Sequence, residues 1–138
     1  MEISDVRKRI LGTIERARQR AAERRARADE AARAYSTFLD GVAVPIFKQV
    51  ANVLRAEGYP FSVSTPSGGV RLMSDRTAED FVEIGLDTSG EMPHVMGHAS
   101  RARGRRVIES ERAIGDPAQL DENDVLEFLT KELEAFLR

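Results

Sequence analysis

The chain has no cysteine, no tryptophan, two histidines and no proline before Pro45 in its 138 residues. Without cysteine there are no disulfides, thiolate zinc sites or thiol nucleophiles, a composition that fits a cytoplasmic setting. Long hydrophobic runs are also missing. The longest, Val42 to Ile46, falls far short of the roughly 20 apolar residues that span a bilayer. Residues 1–15 carry charges throughout and hold no apolar core of a signal peptide, so no membrane association is expected. Ser67-Gly68-Gly69 resembles a fragment of a phosphate loop but lacks its lysine and its following helix, and a turn explains it better. No nucleotide, flavin or haem motif is present, and no cofactor is expected.

Two histidines leave little for imidazole chemistry. His94 and His98 lie on one face if their segment is a strand, with Cα atoms about 13 Å apart at ~3.3 Å per residue. That is too far to share one ion, and no metal site is expected. Glu83 and Asp87 likewise share a strand face, where they can meet Arg or His on a neighbouring strand; a solvated ion-pair face is the more ordinary outcome than an active site. No serine sits in a nucleophile-elbow context. The sequence therefore leans away from an enzyme without deciding the matter.

What the chain has in quantity is arginine and a long helical opening. Of its 21 basic residues 18 are Arg, and the net charge of −2 is uneven, with residues 1–40 at +3 and residues 109–138 at −6. Residues 1–40 contain one glycine and follow a heptad, with Ile10, Ile14, Ala17, Ala21, Arg24, Ala28, Ala31, Tyr35 and Phe38 at alternating d and a positions. A helix from a cap at Ser4 or Asp5 to about Asp40 would be roughly 55 Å long at 1.5 Å per residue. Alanine in its middle favours helix but buries little, so the seam asks for a closely approaching partner. Arg18, Arg20, Arg25 and Arg27 flank it at e and g positions, and in a parallel homodimer these would repel; an antiparallel pair or an acidic partner helix avoids this.

Asp40-Gly41 and Pro45 mark either a break into two antiparallel helices or one helix interrupted there. The second helix reaches Ala56 or Glu57. Alternating segments at Phe61–Thr65, Val70–Ser74, Phe81–Asp87, His94–Ala99 and Arg105–Ala113, joined by short polar turns, predict an antiparallel meander of four or five strands. Asp121 caps a last helix whose apolar stripe is Val125, Leu126, Leu129, Leu133, Phe136 and Leu137. The fold class is α+β, with residues 1–40 an association arm and residues 41–138 a compact domain.

Two places can meet a partner. Ile10, Ile14, Ala21, Ala28 and Tyr35 suit helix pairing. Arg101, Arg103, Arg105 and Arg106, on the connection between two strands, suit an acidic partner or phosphate, or pair with acids of the same chain. The leading expectation is a small non-catalytic interaction protein that binds itself or a larger protein. The alternative is a nucleic-acid-associated accessory protein using the arginine clusters at 16–27 and 101–106.

Overall fold

The computed structural model describes residues 1–137. Helix α1 spans Ile3–Phe38, passes through one π turn at Leu39–Ala43, and continues as α2 over Val44–Ala56. It opens at Glu2, ahead of the expected cap at Ser4 or Asp5, and no side chain closes its free amide groups. The break into an antiparallel helix pair is not made. Gly41 is absent from the glycines with positive φ, so it does not form the left-handed cap that ends a helix. Pro45 lies at the start of α2, just past the π turn. A widened turn is the local adjustment expected where a proline lacks its N–H and crowds the carbonyl four residues back. The single-helix reading with an interruption at Gly41 and Pro45 is therefore the one that holds.

Five strands follow: β1 Phe61–Ser64, β2 Val70–Ser74, β3 Phe81–Asp87, β4 His94–Arg103 and β5 Arg106–Gly115. They form one antiparallel sheet in chain order. The β1–β2 turn closes through the Gly69 N–H on the Pro66 carbonyl at 2.8 Å, with Gly68 at φ 73°, as a type II turn requires at its third position. At the β4–β5 turn Gly104 has φ 64°, which suits the first central position of a two-residue hairpin. Helix α3, Glu122–Leu133, starts with a reciprocal box in which Asp121 accepts from the Asp124 N–H and Asp124 accepts from the Asp121 N–H. A 3-10 turn at Glu134–Phe136 follows it.

One face of the sheet is covered. Val70 and Leu72, Val82 and Ile84, and Val95 are fully buried beneath Phe47, Ala51 and Leu54 of α2 and Val125, Phe128, Leu129 and Leu133 of α3. The stripe of α3 differs from the expected one: Phe128 belongs to the core, while Leu126 is exposed. Phe128 enters because Gly97 on β4 leaves room for its ring. A Cβ built on Gly97 would lie 2.3 Å from Phe128 Cε1. Among the described residues, no helix is long and apolar enough to cross a membrane.

This fit has a measurable consequence. Gly97→Ala must displace a buried ring, and overpacking of this kind costs about 1–3 kcal/mol. Urea denaturation should show that loss. Combining it with Phe128→Leu should recover part of it, so that the double variant is more stable than the two single changes add up to; simple additivity would show that the two positions do not press on each other.

Candidate functional site

Helix α1 is held to the rest of the chain only near its C-terminal end. Tyr35 and Phe38 are its buried residues. The Tyr35 hydroxyl donates to the Gly68 carbonyl at 2.7 Å, tying the helix to the β1–β2 turn, and the Tyr35 and Phe38 rings pack with centroids 6.3 Å apart. One turn back, Ala31 and Ala34 border a small hollow with Met92 and Pro93. Beyond that, Arg27 and Arg24 reach Glu91 at 3.1 and 3.5 Å. Toward the N-terminus from Arg24, no hydrogen bond or ion pair among the described residues joins α1 to another element.

That free length carries apolar side chains. Ile3 is 87% exposed, Val6 46%, Ile10 55%, Leu11 51% and Ile14 40%. Ile3, Ile10 and Ile14 continue the same helical stripe that holds Tyr35. Of the residues expected to pair helices, Ile10 and Ile14 are thus presented to solvent, and Ala21 and Ala28 are half-buried. Tyr35 is consumed by the chain's own core and offers no surface to a partner.

The arginine cluster is built differently from the sequence expectation. Arg101 and Arg103 belong to β4 and Arg106 to β5; only Gly104 and Arg105 form the turn. The strand β3 ends its pairing at Phe81 opposite Ser100. The pairs Arg101–Ile108, Ala102–Val107 and Arg103–Arg106 therefore form a two-stranded ribbon beyond the sheet's third strand. Paired residues point to one side, so Arg101, Arg103, Arg106 and Ile108 share a face. Among the described residues none of Arg101, Arg103, Arg105 and Arg106 makes an ion pair. Several carboxylates of the neighbouring strands are engaged elsewhere: Glu83 with Arg71 and His98, Glu109 with His98, and Asp80 accepting from the Ala102 N–H at 2.7 Å.

The uncovered face of the sheet carries a polar network. The register sets Arg71 and His98 on either side of Glu83, and His94 opposite Asp87. Arg71 bonds Glu83 Oε2 at 2.8 Å, His98 Nδ1 lies 2.9 Å from Oε1, and His98 Nε2 lies 3.4 Å from Glu109. Arg71 also stacks 4.1 Å over the Phe81 ring. Asp87 is held below the usual carboxylate range by the Ser89 hydroxyl and N–H, with a smaller contribution from His94. An open hollow of about 410 Å³ lies over Gly85, bordered by Glu83, Asp87, Met96 and the Ser67–Gly69 turn. Both oxygens of Glu83 are already occupied, and among the described residues no three His, Asp or Glu converge as metal ligands. Both histidines lie on the sheet face turned away from the helices.

A second surface was not singled out by the sequence. Between α2 and α3 runs an apolar groove of about 750 Å³, lined by Val50, Val53, Leu54, Leu126, Leu133 and Leu137. The signal for it was the breadth of the apolar face of α2, wider than one sheet face can cover. Comparison with family models, curated proteins and solved structures gave no match, so the functional reading rests on the residues themselves.

The Tyr35 anchor is testable by pH. Burial raises its hydroxyl from 10.0 to about 12, so the folded state keeps a proton that the unfolded state loses first. The stabilisation is fully present below pH 10.0 and is lost as the pH rises toward about 12. Tyr35→Phe should cost about 0.5–1.5 kcal/mol at neutral pH through the lost hydrogen bond. It should also flatten the alkaline decline measured by urea denaturation, and an unchanged decline would show that Tyr35 does not ionise on unfolding.

Proposed function

We propose that this is a non-catalytic interaction protein, which associates with copies of itself or with a larger protein through the projecting part of α1. The supporting observation is the row of exposed apolar side chains between Ile3 and Ile14, on a helix whose buried residues are Tyr35 and Phe38 and whose ion pairs to the rest of the chain, among the described residues, reach no farther than Arg24. Full burial of such a side chain is worth about 1.5–3 kcal/mol, so covering half-exposed ones contributes on the order of 1 kcal/mol each. The alanines that follow let a partner helix approach closely, and the arginines beside them set its orientation.

The test is Ile10→Asp combined with Ile14→Asp. Light scattering on the unaltered chain should give a mass above that of the 15.3 kDa monomer, or a stable complex with its partner. The variant should lose the association while circular dichroism shows the sheet intact. Unfolding of the whole domain would instead mean that this half of α1 packs internally.

One observation favours a second reading, nucleic-acid binding through arginine. The four arginines of the β4–β5 ribbon lack internal carboxylate partners among the described residues, and guanidinium forks suit phosphate oxygens. The cluster at 16–27 contributes less, since Arg24 and Arg27 already meet Glu91. Fluorescence anisotropy with a labelled duplex at two salt concentrations decides it. Binding that weakens steeply with salt and is lost in Arg103→Glu with Arg106→Glu supports this reading; no binding at low salt removes it.

A further inference from the structure

We infer that the occupant of the projecting stripe is the same stripe of a second copy, lying antiparallel, with the two-fold axis between Ile10 and Ile14. The inference rests on the association reading above and names its partner and geometry. In the heptad frame Ile3, Ile10 and Ala17 are d positions, and Arg7, Ile14 and Ala21 are a positions. Antiparallel helices pack a against d, and one register satisfies the whole projecting length. Ile10 of one copy meets Ile14 of the other, Ile3 meets Ala21, and Arg7 meets Ala17, large against small at both outer layers.

Charge selects this arrangement over the parallel one. Parallel packing sets Arg7 against Arg7 and Arg24 against Arg24 in the seam, and Arg20 against Arg25 beside it. In the antiparallel register Arg18 faces Ser4 and Arg20 faces Val6 across the flanks, while Leu11 faces its own copy across the axis. No arginine opposes another. Shifting the register by one heptad in one direction brings Arg7 against Arg24. It also pushes the partner's first turn onto Ala28, where the loop at Glu91–Pro93 approaches α1. Shifting it the other way sets Ile10 against Arg7.

The structure gives the seam a natural end. Arg24, which breaks the apolar pattern on the C-terminal side of Ala21, is held by Glu91 of its own chain at 3.5 Å. The second copy's helix, starting at Ile3 beside Ala21, stops short of that contact. The two sheets then sit at opposite ends of a shared rod.

The absence of cysteine allows a direct test by introduced cysteines. Two variants are made, Ile3→Cys and Ala21→Cys, each in the full chain. In the antiparallel register identical Ala21 positions are roughly 27 Å apart at 1.5 Å per residue, so neither variant oxidises to a disulfide dimer alone. An equimolar mixture of the two, unfolded and refolded together so that subunits exchange, should yield a disulfide dimer that neither variant gives alone. Dimers formed by each variant alone, with none gained on mixing, indicate parallel arms and overturn the inference. A monomer by light scattering also overturns it, while leaving the arm open to a different protein partner. A dimer that survives Ile10→Asp with Ile14→Asp overturns both this geometry and the association reading.

Discussion

The outline of the molecule depends on one constraint, the unbroken helical backbone from Ile3 to Ala56. Because α2 is fixed against the sheet by Phe47, Ala51 and Leu54, the direction in which α1 leaves is set by α2 and not by contacts of its own. The Tyr35 hydroxyl and the Phe38 ring then add a second point of attachment near the junction. A helix held at this junction, and by Arg27 and Arg24 on Glu91 farther along, behaves as a lever: its N-terminal end is positioned but not covered.

The sheet shows a similar division between covered and uncovered surface. Its inner face is apolar and tightly fitted, to the point that a glycine is needed opposite Phe128. Its outer face is held together by cross-strand charge, with Glu83 shared between Arg71 and His98. Such half-exposed pairs contribute modestly to stability, yet they fix side-chain positions. Glu83 and Glu109 meet His98 and, among the described residues, form no ion pair with the arginines of the β4–β5 ribbon.

Much of this was legible in the sequence. The alternation within Phe61–Thr65, Val70–Ser74 and Phe81–Asp87 located three strands within a residue or two, and Asp121 marked the start of α3 because a short carboxylate before an apolar run has a specific use there. The facing of Glu83 and Asp87 toward basic residues followed from period-two geometry. The features that escaped depend on tertiary fit. Phe128, three residues after Val125, shares the helical stripe of Val125 and Leu129, a place the expected stripe gives to Leu126; the seating of its ring against Gly97 has no sequence signal. Gly41 and Pro45 are ordinary stop signals, but a π turn accommodates the proline and the helix continues through both. The strand character of Arg101 to Arg106 was masked by composition, since arginine says little about strand or loop, and pairing of β4 with β5 decided it. For the interaction surfaces, the heptad located the exposed isoleucines, but it gave no means of telling that Tyr35, in the same register, is enclosed.

The last strand has a consequence of its own. At ten residues β5 is a long open edge, bordered by water on one side, whereas the opposite edge, β1, has four. An edge of this length invites a foreign strand to add to it and seed aggregates. Its sequence opposes that. Arg106 and Arg112 project from one of its faces and Glu109 and Glu111 from the other, so an incoming apolar strand would have to strip water from charges above and below. The guard is local to the edge, which lets the chain carry an exposed apolar row on α1 and an open sheet at the same time.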